Sequence, residues 1–140
     1  MSETAGYSGK PLAAKLGIKP ASQAAVFDAP EHYPALLGRP PDGAALTLAV
    51  WPDAALASAA DLIQVFVRDR AGLEARAQDL ARFPKPGAMI WISWPKKSSP
   101  LYRGLTEDGV REIMLPTGWV DVKVAAVDAD WSGLKFLRRR

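Results

Sequence analysis

Residues 61–67, DLIQVFV, and residues 88–94, AMIWISW, flank a stretch with helical periodicity. Both runs are almost continuously apolar, as strands buried on both faces of a parallel sheet are. Asp69 can cap the intervening helix at 70–82. Leu73, Ala77, Leu80 and Ala81 share one face of it, and Arg76, Gln78, Asp79 and Arg82 turn outward. FPKPG at 83–87 stops the helix. Strand, crossover helix and strand make a parallel unit, since parallel neighbours need a connection of this length.

The same alternation extends upstream. AAVFD (24–28) and ALTLAVW (45–51) read as strands. Between them Pro34 opens a short helix through Leu37, closed by Gly38, and RPPDG (39–43) is a turn. PDAALASAA (52–60) is a short helical connection. At the start, GKPLAAKLGIKP predicts a helix capped by Ser8 or Gly9, with Pro11 in its first turn and Gly17 and Pro20 ending it. Downstream, Thr106 caps a helix to about Leu115, with Val110, Ile113 and Met114 inward and Gly109 weakening it. WVDVKVAAVD (119–128) and GLKFLRR (133–139) are two further strands. The short link between them cannot hold a parallel crossover, so they form an antiparallel hairpin. The expectation is an α/β fold: a flexible N-terminus at 1–9, then one domain at 10–140 with a mostly parallel sheet of about six strands and a C-terminal hairpin.

Composition fits that domain. Of the 140 residues, 49% are hydrophobic and 24% charged, ordinary for a soluble globular protein. The absence of cysteine excludes disulfides and thiolate chemistry. No apolar stretch is long enough to span a membrane, and MSETAGYSGKPLAAKLG has no signal-peptide pattern. A bacterial-type cytoplasmic location is expected. The net charge of +3 resides in Arg138–Arg140; without them fifteen basic residues face fifteen acidic ones. The footprint of a dedicated nucleic-acid binder is therefore weak.

LGIKPASQAAVFDAP resembles the entry to the first strand of Rossmann-like, S-adenosylmethionine-dependent methyltransferases. DLIQVFV, the helix after it and FPKPGAMIWIS are similar to that family's fourth strand, following helix and fifth strand, and the closing hairpin is also a feature of the family. GYSGKPLAAKLGIKP, SWPKKSS with LTEDGVRE, and DADWSGLKF resemble DUF3052, a bacterial family of unknown activity. The methyltransferase resemblance implies a glycine-rich cofactor turn after the first strand. Here that stretch is FDAPEHYPALLG, with Asp28 near the family's motif acid and Ala29, Pro30, Glu31 and His32 at the glycine positions. Asp53 can stand for the ribose-binding acid, a lone match. No cofactor is expected, S-adenosylmethionine included.

Ligands of open α/β sheets favour the carboxyl ends of the strands. That edge carries Asp28, Glu31, His32 and Tyr33 after the first strand and Trp51 and Asp53 after the second. Arg68, Asp69 and Arg70 follow the third, and Trp94, Lys96, Lys97, Ser98 and Ser99 the fourth. Arg68, Arg70, Lys96 and Lys97 can gather on one rim, suited to a phosphate, a carboxylate or an acidic protein surface. The candidate ligand-binding residues are these four with Ser98, Ser99 and His32; the alternative is a plain solvated loop, the commoner state of such residues, since Lys and Arg are mostly exposed. A single histidine and no cysteine argue against a metal site. Ser98 or Ser99 with His32 and Asp28 has the residue types of a triad but no nucleophile elbow. Of the five tryptophans, Trp91 is expected in the core; Trp51, Trp94, Trp119 and Trp131 either lid a core or line a pocket.

The reading that results is a non-catalytic binding or regulatory protein contacting an anionic ligand or acidic partner. The alternatives are a small enzyme, possibly a methyltransferase, acting on an anionic metabolite, and a nucleic-acid accessory protein using the rim and Arg138–Arg140. An open sheet edge makes a homodimer a further expectation.

Overall fold

A computed structural model describes residues 12–38 and 41–139. The expected flexible stretch 1–9, the first helix's cap residues, Pro11, the turn residues Arg39 and Pro40, and Arg140 lie outside them. The strands are β1 (Gln23–Phe27), β2 (Ala45–Ala49), β3 (Leu62–Phe66), β4 (Met89–Pro95), β5 (Trp119–Ala126) and β6 (Trp131–Arg138). The helices are α1 (Leu12–Leu16), α2 (Tyr33–Leu37), α3 (Ala54–Ala59), α4 (Arg70–Arg82) and α5 (Glu107–Met114). One sheet runs in the order β2-β1-β3-β4-β6-β5. β1 to β4 are parallel, and β6 is antiparallel to both β4 and β5. The α/β class, the single sheet and the C-terminal hairpin are as the sequence predicts.

Two apolar layers sandwich the sheet. On one face Phe27, Val65, Ile92 and Phe136 meet Leu73 and Leu80 of α4 and Val110 and Met114 of α5. On the other, Val26, Phe66 and Trp91 meet Leu12 and Leu16 of α1 and Tyr33 and Leu37 of α2. Being covered on both sides explains the unbroken apolar runs of β3 and β4. The predicted caps form: Asp69 accepts the Gly72 N–H at 2.8 Å, and Thr106 accepts the Gly109 N–H at 3.1 Å. Gly109 has a packing reason, since a Cβ there would lie 3.2 Å from Leu105 Cδ1 and 3.3 Å from Arg70 Nη1.

Several boundaries differ from the expectation for polar reasons. The first strand ends at Phe27 because Asp28 turns into the left-handed region (φ 61°). The second ends at Ala49, and the Trp51 N–H goes to the Asp28 carboxylate at 3.1 Å instead of to a ladder. The fifth stops at Ala126, and Asp128 Oδ1 then accepts the N–H groups of Asp130 and Trp131, both at 2.8 Å, which makes the hairpin turn. β6 accordingly starts at Trp131, which pairs with Pro95. An irregularity between Asp121 and Lys123 interrupts the β5 edge.

Candidate functional site

β1 sends its connection to β2 on one side and lies against β3 on the other, so the carboxyl ends of β1 and β3 border the switch in strand order. A hollow of about 300 Å³ opens there, lined by Asp28, Trp51, Arg68, Asp69, Arg76 and Trp131 among others. Its walls are tied together. Arg76 Nη2 donates to Asp28 Oδ2 at 2.9 Å, and Arg76 Nη1 donates to the Gly72 carbonyl at 2.9 Å. The Arg68 guanidinium lies 5.8 Å from the Trp131 ring centroid, within cation–π range. Helical periodicity turns Arg76 outward, but in the structure its guanidinium reaches Asp28. The signal for it was Asp28 itself, an acid at a strand end that needs a cation or donors.

The segment after β1 is anchored at two points. His32 Nε2 lies 2.8 Å from Asp128 Oδ2 in the β5–β6 turn. Tyr33 is fully buried and its hydroxyl donates to Gln64 Oε1; Gln64 Nε2 in turn donates to Ser93 Oγ at 2.9 Å. Burial pushes the Tyr33 hydroxyl pKa up, keeping it a neutral donor. This file of three polar side chains crosses from α2 through β3 to β4.

A second hollow, of about 450 Å³, lies at the ends of β4 and β6 beside the start of α5; Lys96, Lys97, Trp94, Thr106 and Ser132 line it with Glu107 and Asp108. The seven candidate residues thus share the carboxyl edge but not one pocket. Lys96 and Lys97 stand together in the second hollow, and Arg68 is in the first. Arg70 is bound to Glu74 at 3.1 Å and Glu112 at 3.0 Å. His32 faces Asp128. Ser99 is buried and closes its own turn, its N–H on the Lys96 carbonyl at 3.0 Å and its Oγ accepting from Leu101 N–H at 3.0 Å. Ser98 is exposed. Among the described residues no group of three or more His, Asp or Glu can hold a metal ion, and no helix is long and apolar enough to cross a membrane.

Solved structures share this architecture. A TehB-like S-adenosylmethionine-dependent methyltransferase from Corynebacterium glutamicum superposes with a TM-score of 0.58 at 10% identity, covering 96% of this chain and 91% of that one. A SAM-dependent methyltransferase from Aquifex aeolicus gives 0.55 at 12% identity, covering 88% and 85%. The fold is methyltransferase-like. A possible exported protein from Bordetella parapertussis also matches, with a TM-score of 0.58 at 11% identity over 92% of this chain; the chain spans 66% of that protein's length. No family model and no curated protein sequence matches the chain.

In this methyltransferase-like domain the acids near Lys96 and Lys97 are committed elsewhere. Arg111 donates to Glu107 at 2.5 Å, to Asp108 at 3.2 Å and to Asp121 at 2.8 Å. The Arg111 guanidinium holds the Asp121 carboxyl below the usual carboxylate range. Arg138 and Arg139 are likewise engaged. Arg138 stacks 4.2 Å over Trp119 and donates to the Ala81 carbonyl at 2.9 Å, and Arg139 donates to the Leu115 carbonyl at 3.0 Å. Trp91 and Trp119 are buried in the core, whereas Trp94 and Trp131, also mostly buried, each present an edge to one of the two hollows.

Proposed function

We propose that this methyltransferase-like domain is a binding or regulatory protein that takes an anionic ligand, or the acidic surface of a partner, at Lys96 and Lys97. One observation carries the reading. Among the described residues neither lysine has an ion-pair partner, while the two acids lining the same hollow are drawn to Arg111. Two ammoniums at a hollow of this size suit a phosphate or carboxylate. The DUF3052 resemblance, a bacterial origin and a cytoplasmic setting belong to the same proposal.

The residues at the switch point do not fit S-adenosylmethionine, which supports a role without methyl transfer. Close backbone approach after β1 needs glycine, and the chain carries Ala29, Pro30, Glu31 and His32 there. The Asp28 carboxylate is occupied by Trp51 N–H and Arg76. Asp53, the candidate ribose acid, accepts the Leu56 N–H at 3.0 Å as the cap of α3. The likeness to S-adenosylmethionine-dependent enzymes favours a second reading, a small enzyme acting on an anionic metabolite. Isothermal calorimetry and thermal shift separate the two. We expect no heat from S-adenosylmethionine or its demethylated product. Phosphorylated or polycarboxylate small molecules should stabilise the native chain, but not its Lys96→Ala/Lys97→Ala variant. Saturable cofactor binding supports the enzyme reading instead.

A further inference from the structure

A second cationic feature lies on the α1 face of the sheet, away from the hollow at α5. Lys135 pairs in register with Trp91 on one side and with Lys123 on the other, so all three side chains share the α1 face. Lys15 is on α1 itself and is only 9% exposed; its Nζ donates to the Ala126 carbonyl at 2.9 Å. Lys123 Nζ donates to the Lys15 carbonyl at 3.5 Å. A Cβ on Gly17 would lie 3.4 Å from Lys135 Nζ, so that ammonium rests against the end of α1. Gly17 and Lys19 line one hollow at the end of α1, which brings Lys19 to the side of Lys135.

Among the described residues Lys15 and Lys123 give their side-chain hydrogen bonds to neutral carbonyls. None of the ion pairs among the described residues involves Lys15, Lys19, Lys96, Lys123 or Lys135. Like charges directly opposite on neighbouring strands are destabilising, yet Lys123 and Lys135 are so placed. The repulsion has an order. Burial, then Lys96 and Lys123, push the Lys15 pKa down; burial, then Lys123 and Lys19, do the same to Lys135. The contacts at α1 give the row Lys15–Lys123–Lys135–Lys19. Beside it the sheet face is uncovered, with Val120 and Leu137 more than a third exposed.

We propose that this row is a track for a phosphate-bearing chain, held by charge and not by base recognition. A line of unneutralised ammoniums matches an anion whose charges also lie in a line. The row contains no arginine, whose planar fork suits carboxylates, and lysine binds phosphate as a point charge. Trp91, the tryptophan of this face, is buried with its indole N–H on the Leu16 carbonyl at 2.7 Å, so it offers no stacking platform for a base.

The test is fluorescence anisotropy of the full chain with two labelled probes, a mixed-sequence single-stranded oligonucleotide and inorganic polyphosphate. Three or four phosphate contacts predict that oligonucleotide affinity falls about 20- to 50-fold between 50 and 200 mM salt. Lys123→Gln with Lys135→Gln should make the log–log salt slope shallower by about 1.4, and Lys123→Arg with Lys135→Arg should retain binding. Binding of the oligonucleotide alone assigns a nucleic-acid backbone; binding of polyphosphate alone assigns the inorganic chain; binding of both fits their shared chemistry. The proposal is overturned if neither probe binds, if the double glutamine variant binds unchanged, or if polyglutamate displaces the probes equally well. Should that variant fail to fold, Lys19→Gln with Lys123→Gln makes the same comparison. Lys123 and Lys135 do not line the hollow at Lys96 and Lys97, so failure here leaves the reading of that hollow intact.

Discussion

Asp28 joins three parts of the molecule through one carboxylate. It ends β1 in a left-handed conformation, receives the Trp51 N–H beyond β2 and pairs with Arg76 of α4. Asparagine tolerates that backbone region, so Asp28→Asn isolates the loss of charge. We expect it to cost about 1–2 kcal/mol, kept moderate because both partners are partly solvated. Asp28→Ala should cost roughly 1 kcal/mol more for the left-handed conformation. Urea unfolding midpoints check both; an unchanged midpoint for Asp28→Ala would remove this residue from the account. The sequence made Asp28 visible as an acid after a strand. It hid Arg76, because helical periodicity assigns faces by Cα position while a long arginine stem carries its charge back over the surface.

At the scale of elements, the file Tyr33–Gln64–Ser93 couples α2 to the two central strands. Gln64 sits inside an otherwise apolar strand and is fully buried. Such a group is tolerated only when its hydrogen bonds are made. Tyr33→Phe leaves Gln64 Oε1 without its donor and should cost about 1–3 kcal/mol. Differential scanning calorimetry measures it; a melting temperature equal to that of the parent would show that the amide is satisfied some other way. β3 was legible from its apolar run, and Gln64 was visible within it. Its partners were not, because Tyr33 and Ser93 approach it through tertiary packing that no local period encodes. The hairpin was legible, but the place of its turn was not: Asp128 fixes it by local side-chain bonds that compete with strand extension.

Over the whole molecule, charge is unevenly settled. Arg70 and Arg111 satisfy acids around α5, whereas the lysines beside α1 face one another. The pH dependence follows. Unfolded lysines titrate near 10.4, and in the fold Lys15 and Lys135 release their protons at lower pH. Between those ranges the unfolded chain holds more protons, so stability rises with pH there. Below the lowered folded values the costs of burial and repulsion act in full, and above the unfolded value the gain is complete. Chemical denaturation from pH 7 to 9.5 should show this rise, and Lys123→Gln should make it shallower without removing it, since burial is the larger cause; a steady decline over that range would contradict the row. The topology itself could be read from the chain because alternation, run length and the short 129–132 link leave few arrangements. The lysine row could not, since its members are scattered from 15 to 135 and only the hairpin folding back on α1 aligns them.

The strand order has a consequence for synthesis. β6 is the last strand in the sequence, but it lies inside the sheet, between β4 and β5. While the chain emerges from the ribosome, the β4 edge stays bare through the making of α5 and β5. Pairing there must wait for residues 131–138, so a nascent chain halted before them presents an apolar, hydrogen-bonding edge to whatever is nearby.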